Sequence, residues 1–279
     1  IEHFEYKVLD GSESLNPYTE WQVTKDNYIY ITPGVVGSDK FIDGSNYHLA
    51  VRVINKLDKS TGQLISDGIT VDSSPPESPV LMMADYVNNN FHLKWSGADS
   101  HSGIQSYKYA IGTTRGGSQI TEGWIDIDLS NLRNGETSKM IDRLVEYNLT
   151  HLNNYYLTVK AENGVGLWSE PIKSKALLAD LVKPSKPIVT ANKYTTSRSQ
   201  ITDIEFNSKD DDSGVMAYRY KVVENTNLTE DLNTSVKQVD KITADYKNLD
   251  LDIEGLDLIE DGIFYVAIQT MDAVGNWSE

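Results

Sequence analysis

From Tyr155 to Ala161 apolar and polar positions alternate. Tyr155, Leu157, Val159 and Ala161 fall on one side of an extended chain, and Tyr156, Thr158 and Lys160 fall on the other. Side chains of a strand point alternately to opposite faces, so the pattern predicts a half-buried β-strand. A turn containing Gly164 and Gly166 follows, and then Trp168-Ser169. The same succession returns from Phe264 to Trp277-Ser278, and a looser copy starts at Tyr47, its turn lengthened by residues 56–63. Spacings of 108 and 109 positions separate Tyr47, Tyr155 and Phe264, which marks an internal repeat with three copies.

The remaining residues align on that anchor. An apolar residue stands six positions before each first aromatic, at Phe41, Leu149 and Leu258. Upstream lie three aromatic-rich strands, Ile1–Tyr6, Ile104–Tyr109 and Val215–Tyr220. Trp21 and Trp124 occupy one repeat position that Ser235-Val236 fills in the third copy. Phe91-His-Leu-Lys-Trp95 matches Thr202-Asp-Ile-Glu-Phe206, and each precedes an Asp-rich loop ending in Ser-Gly, at 99–103 and 210–214. Predicted strands cover about 1–9, 20–24, 27–32, 46–54 and 64–71, then 79–83, 90–95, 104–111, 124–128, 138–144, 155–162 and 170–178. In the last copy they cover about 187–192, 201–206, 215–223, 236–240, 244–251 and 263–270, and residues 226–235 carry the only trace of helical period.

Two linkers break the alternation at the same offset. Asp72 is followed by Pro76 and Pro79, and Asp180 by Pro184 and Pro187. Proline removes a ladder donor and stiffens a connection. The expected domains are therefore 1–74, 75–182 and 183–279. Seven short strands per period without alternating helices predict tandem antiparallel β-sandwiches, all-β, with strands A, B, C, C′, E, F and G. The stiff linkers predict an elongated array. Because Ile1 aligns with Ile104 and Val215, repeat one is expected to lack strands A and B, and repeat three to lack strand G. Repeat one would then leave an apolar face around Tyr6, Tyr47, Leu49 and Val51 to be covered from elsewhere.

Composition narrows the function classes. The net charge is −16, with 41 acidic against 25 basic residues, which argues against nucleic acid and against anionic membrane as partners. No cysteine is present, so disulfides and thiolate metal sites are excluded. No apolar run reaches the length of a membrane span.

The pattern Leu149…Tyr155-x-Leu-x-Val-x-Ala161-x-Asn-x-x-Gly166 resembles the E–F corner and F strand of the fibronectin type III family. Ser102-Gly-Ile-x-x-Tyr-x-Tyr109, Ile111-Gly-Thr-Thr-Arg-Gly-Gly117 and Asp272-Ala-Val-Gly-Asn-Trp-Ser278 are similar to a narrower branch, the fibronectin type III-like and Ig-like repeats of prokaryotic surface and secreted proteins. The likeness implies a sandwich fold over nearly the whole chain and an extracellular setting, and says little about activity, since such folds host many roles.

Candidate chemistry is sparse. The five histidines are scattered without metal-ligand spacing, no glycine-rich phosphate loop leads from a strand into a helix, and no carboxylate pair is singled out, so no enzyme is expected. In the implied fold Asp180, Asp210, Asp211, Asp212 and Asp272 gather at the second linker. They are either a solvated turn cluster or ligands for a hard cation, with calcium the candidate ion. Asp72, Asp99 and Asn163 form a weaker set at the first linker. Trp124, Trp168 and Trp277 are either amphipathic packing at strand edges or platforms for a glycan. Asn148, Asn227, Asn233 and Asn276 stand in Asn-x-Ser/Thr sites. The expected role is a non-catalytic structural or adhesive segment of a larger cell-surface protein, contacting neighbouring repeats or other chains of a surface assembly. The alternative is an accessory or carbohydrate-binding array of a secreted polysaccharide-degrading enzyme.

Overall fold

The computed structural model describes residues 1–11, 17–36, 41–129, 138–223, 237–240, 249–254, 256, 258 and 262–279. The helical trace at 226–235 lies outside them, as do positions 244–248 of one expected strand. Among the described residues no helix is long and apolar enough to cross a membrane.

In repeat one, β1 (His3–Asp10), β2 (Gln22–Thr24), β3 (Asn46–Ile54), β4 (Leu64–Ile65) and β5 (Ile69–Thr70) form a single sheet in the order β2-β1-β3-β4, with β5 also on β3. Repeat two contributes β6 (Val80–Leu81), β7 (Tyr86–Val87), β8 (Asn90–Ala98), β9 (Ile104–Gly112), β10 (Ile125–Asp128), β11 (Ser138–Glu146), β12 (Asn154–Asn163), β13 (Ile172–Lys173) and β14 (Leu177–Ala179). Its ladders run β11-β8-β6 and β10-β9-β12-β14-β7, with β13 on β12. Repeat three has β15 (Ile188–Thr190), β16 (Gln200–Asn207), β17 (Val215–Val223), β18 (Lys237–Asp240), β19 (Leu249–Glu254) and β20 (Tyr265–Asp272). They pair as β15-β16-β19 and β18-β17-β20. In the lettering above these are the orders A-B-E and C′-C-F, so the all-β, two-sheet organisation follows the expected one.

Some expectations need correction. Residues 27–32 form no strand, and a short 3-10 turn, Pro33–Val36, follows them. The strands expected at 64–71 and 170–178 are each two short pieces, broken at 66–68 and at 174–176. β7 was not anticipated, and it pairs parallel with β14. The E strand of repeat three is described over Leu249–Glu254 and runs past the expected end at 251.

By contacts the chain divides into two compact units. The first comprises Ile1–Met82, Lys94–Asp142 and Leu157–Ser174; the second comprises Met83–Leu93, Arg143–Tyr156 and Lys175–Glu279. In the first unit Trp95, Tyr107, Leu157, Val159 and Ala161 are fully buried. The Trp95 ring lies 5.8 Å from Tyr107 and 6.0 Å from Tyr109. In the second unit Phe206, from the same repeat position, lies 4.8 Å from Tyr218 within a cluster holding Ile204, Tyr220 and Ile268. The B-strand aromatic thus meets the tyrosines of strand C in both. Edge-to-face ring contact adds to the area term of burial.

A tyrosine hydroxyl braces two of the E–F corners. Tyr155 Oη accepts the Thr150 N–H at 2.7 Å, and Tyr47 Oη accepts the Ile42 N–H at 3.3 Å. Phe264 holds the third position and has no hydroxyl to offer.

Trp95 Nε1 is buried and has no hydrogen-bond partner among the described residues, so the indole contributes by packing alone. Trp95→Ala should lower stability by about 3–5 kcal/mol, the usual cost of emptying a large aromatic site. Trp95→Phe, which copies repeat three, should cost about 1.5 kcal/mol. Urea melts followed by tyrosine fluorescence decide this, and equal losses for the two variants would show that the ring does more than fill space.

Candidate functional site

Each Asp-x-x-Ser-Gly loop is shaped by its first residue. Asp99 is buried, and its Oδ1 accepts the N–H groups of His101, Ser102 and Gly103 at 3.2, 2.9 and 2.9 Å. Asp210 Oδ1 takes the N–H groups of Asp212, Ser213 and Gly214 at 3.2, 2.9 and 2.8 Å. Three donors converging on one oxygen wrap the loop around the carboxylate, and the wrap ends at a left-handed residue. Gly103 has φ 72° and Gly214 has φ 79° there, a region that residues with a Cβ rarely adopt.

In the first compact unit a linker aspartate docks on this loop. Asp72 Oδ2 accepts the Ser102 N–H at 3.2 Å and also the Ser102 hydroxyl. The fully buried Asn163, at the end of β12, supplies the missing positive end. Its Nδ2 donates to Asp72 Oδ2 and to the Ser74 carbonyl, both at 2.9 Å, and reaches Asp99 Oδ2 at 3.4 Å. Its Oδ1 accepts the Leu167 N–H at 2.8 Å, which closes the F–G turn. Asp43 binds the same linker, through the Ser73 N–H at 2.7 Å and the Ser74 hydroxyl, with His101 Nε2 3.6 Å away. Those two serine donors hold the Asp43 carboxyl down at about 2.

In the second compact unit the same positions carry a different charge pattern. Asp180 is fully buried; its Oδ2 accepts the Ser213 hydroxyl at 2.5 Å and its Oδ1 the Val182 N–H at 3.1 Å. The position of Asn163 is taken by Asp272, also buried. Asp272 Oδ1 accepts the N–H groups of Val274 and Asn276 at 3.0 and 2.8 Å, and its Oδ2 the Asn276 amide at 2.8 Å. Burial raises the Asp272 carboxyl above its ordinary value; the Asn276 and Val274 donors oppose that, and the charge of Asp180 adds to it. Asp180, Asp210 and Asp272 offer carboxylate oxygens that all lie within 4.8 Å of one another. His151, Asp180 and Asp212 form a second such group. The Leu181 N–H points at His151 Nδ1, 3.2 Å away, while Nε2 faces Asp212 Oδ2 at 3.4 Å. This arrangement makes Nδ1 the acceptor and Nε2 the protonated nitrogen.

Of the five predicted acidic residues, four converge. Asp211 does not: it is exposed and pairs with Lys209 Nζ at 2.6 Å, because the loop wraps around Asp210 and turns its neighbour outward. His151, Ser102, Ser213 and Asp43 were missed as partners. The two serines were visible in the repeated loop motif, whereas His151 and Asp43 carry no local signal.

The three predicted tryptophans occupy cation-clasped positions. Lys160 lies over both Trp124 and Trp168, at 5.0 and 4.4 Å, and Lys108 lies over Trp168 at 5.3 Å. Arg219 lies over Trp277 at 4.2 Å, and in repeat one Arg52 and Lys7 lie over Trp21 at 4.2 and 4.9 Å. Trp124 is 42% exposed, the most open of the three predicted rings; Trp168 and Trp277 are half-buried. Of the sequon asparagines, Asn276 is tied to Asp272, Asn148 is exposed, and Asn227 and Asn233 lie outside the described residues.

No family model matches this chain. No curated protein matches its sequence. Among solved structures it is similar to the chicken CNTN1 FN1-FN3 domains, at 15% identity and a TM-score of 0.44, over 100% of this chain and 86% of that one. It is also similar to the fibronectin(III)-like modules of Clostridium thermocellum CbhA, at 14% identity and a TM-score of 0.36, over 75% of this chain and 88% of that one.

The Asn163/Asp272 difference is open to a reciprocal test. Asn163→Asp removes the amide donor and adds a third carboxylate beside Asp72 and Asp99, so it should cost about 2–3 kcal/mol at neutral pH. Asp272→Asn should stabilise the second unit at neutral pH. A raised folded pKa means that protonated Asp272 favours the fold, and that this contribution is lost as pH rises through the folded value; the gain should therefore shrink in acid. Asp43 has the opposite sign. Its stabilisation is complete above its ordinary 3.8 and is lost as pH falls toward about 2, and Asp43→Asn should flatten that part of the acid melt. Urea melts across pH 2–7 follow all three, and identical pH profiles for wild type and variants would refute the assignments.

Proposed function

We propose that the chain is a non-catalytic structural and adhesive segment of a larger extracellular or cell-surface protein, built from tandem β-sandwich repeats. One observation carries this reading: the same lock recurs at two linkers. Asp72 with Ser102, and Asp180 with Ser213, tie a proline-containing connection to an Asp-x-x-Ser-Gly loop. A linker held only by proline keeps several conformations, and a hydrogen-bonded carboxylate removes them. Holding the course of a chain between sandwiches is the property that a spacing or load-bearing segment needs. Neighbouring repeats and other chains of a surface assembly are the partners this reading implies. The charge of −16 speaks against nucleic acid and anionic membranes.

Calcium belongs to the same reading at the second linker. Where Asn163 brings an amide between two carboxylates, Asp272 brings a third acid, and a hard cation with oxygen ligands would offset the repulsion. Asp180, Asp210 and Asp272, with Asp212 beside them, are the residues that would hold it.

A second reading, carbohydrate binding or an accessory role in a secreted polysaccharide-degrading enzyme, is favoured by the exposure of Trp124. Glycan-array binding that Trp124→Ala abolishes would support it over the structural reading.

Limited proteolysis tests the lock. Asp72→Ala and Asp180→Ala should speed cleavage at 73–79 and 181–187 by about tenfold, the effect of losing roughly 1.4 kcal/mol of local closure. Unchanged cleavage in both variants would remove the proposal. For calcium, thermal melts in excess calcium and in chelator should differ, by about 2.7 kcal/mol at a hundred times the dissociation constant. The difference should vanish in Asp272→Asn, and coincident melts of the wild-type chain would exclude the ion.

A further inference from the structure

Two tyrosine-braced corners follow one backbone path and carry opposite chemistry at the tip. The E–F corner of repeat one holds Asp43-Gly44, and the equivalent corner of repeat two, 108 residues on, holds His151-Leu152. Gly44 has φ 76° and Leu152 has φ 61°, both left-handed. Their N–H groups donate, each at 2.8 Å, to the carbonyls of Val71 and Ala179, which stand just before the linker aspartates Asp72 and Asp180. A bulky residue such as leucine is uncommon in that region, so the surrounding bonds, and not the residue, set the path of the corner.

Each tip residue makes two contacts. Asp43 Oδ1 accepts the Ser73 N–H at 2.7 Å, and His151 Nδ1 accepts the N–H of Leu181, the equivalent linker residue, at 3.2 Å. A second side-chain atom faces the third residue of the next repeat's Asp-x-x-Ser-Gly loop. There Asp43 Oδ2 meets His101 Nε2 at 3.6 Å, and His151 Nε2 meets Asp212 Oδ2 at 3.4 Å. Carboxylate and imidazole have exchanged places between the two junctions. The linker N–H allows this, because a carboxylate and a neutral imidazole can both accept it. Across the gap a mixed pair places an N–H against an oxygen, whereas two carboxylates would repel. Size follows the same exchange. A Cβ on Gly44 would stand 2.7 Å from His101 Cε1, so glycine accompanies the large loop residue, and Leu152 accompanies the shorter Asp212.

We propose that the corner dipeptide and the third loop residue form a recognition pair between consecutive repeats. An Asp-Gly corner holds a repeat whose loop presents histidine, and a His-Leu corner holds one whose loop presents aspartate. The order in which repeats follow one another is then set by side chains outside their apolar cores. This inference rests on the reading of the linkers as structural locks: the lock fixes the course of the chain, and the pair selects the repeat that is held there.

The test is a swap in the full 279-residue chain, read by the rate of limited proteolysis within residues 73–79. Asp43→His sets imidazole against imidazole, and His101→Asp sets carboxylate against carboxylate. The side chains of His101 and Asp43 are 28% and 33% exposed, so neither change empties a core. Each alone should speed cleavage by about fivefold, and the double variant, which copies the second junction, should return to within about twofold of wild type. Gly44→Leu gives an independent readout: it should speed cleavage at least about threefold more in the wild-type chain than in the swapped chain, where the loop ring is gone. Asp72→Ala keeps the two readings apart, since unchanged cleavage there removes the lock and says nothing against the pair. The pairing is overturned if neither single substitution speeds cleavage, if the double variant cleaves as fast as the faster single one, or if Gly44→Leu acts equally in both chains.

Discussion

A carboxylate taken out of water must find donors, and that demand organises the loops of this protein. Asp99 and Asp210 each gather three successive N–H groups, and the Ser-Gly turn that follows is the path the backbone takes around them. The wrapped loop then presents a serine hydroxyl outward, and the linker aspartate closes on it. One local need therefore sets the turn, the left-handed glycine and the course of the chain into the next repeat.

The two locks differ most in the residue that ends strand F. Asn163 has an amide where Asp272 has an oxygen, so the first cluster is neutralised by a donor of the protein itself, while the second is left with three acids in reach of one another. Backbone N–H groups and the Asn276 amide satisfy Asp272 as an acceptor. They do not cancel the mutual repulsion of the carboxylates, and burial raises the Asp272 carboxyl accordingly. A proton or a cation can play the part that the asparagine amide plays in the other unit.

On the outward sheet faces an acidic chain spends its few cations on tryptophan. Arg52, Lys160 and Arg219 each lie within about 5 Å of an indole ring; Arg52 and Lys160 share one repeat position, and Arg219 shares another with Lys108. Such contacts contribute about 0.5–1 kcal/mol each at exposed sites and keep large rings flat on the sheet. On the inward faces the same strands carry aromatic and aliphatic residues.

The sequence by itself determined the long central strands, their inward residues and the repeat, because period-two alternation is local and survives without any partner. Tyr155, Leu157, Val159 and Ala161 read as one buried face and are one. The paired linkers and the Asp-x-x-Ser-Gly loops were legible for the same reason, since a carboxylate finds its donors within four residues. Only the tertiary structure decided the rest. It placed Trp95 on Tyr107 and Tyr109, paired β7 in parallel with β14, turned Asp211 out toward Lys209, and brought His151 to Asp180 and Asp212. Each of these joins residues whose meeting depends on register and on the direction in which a loop wraps, and neither leaves a periodic trace along the chain.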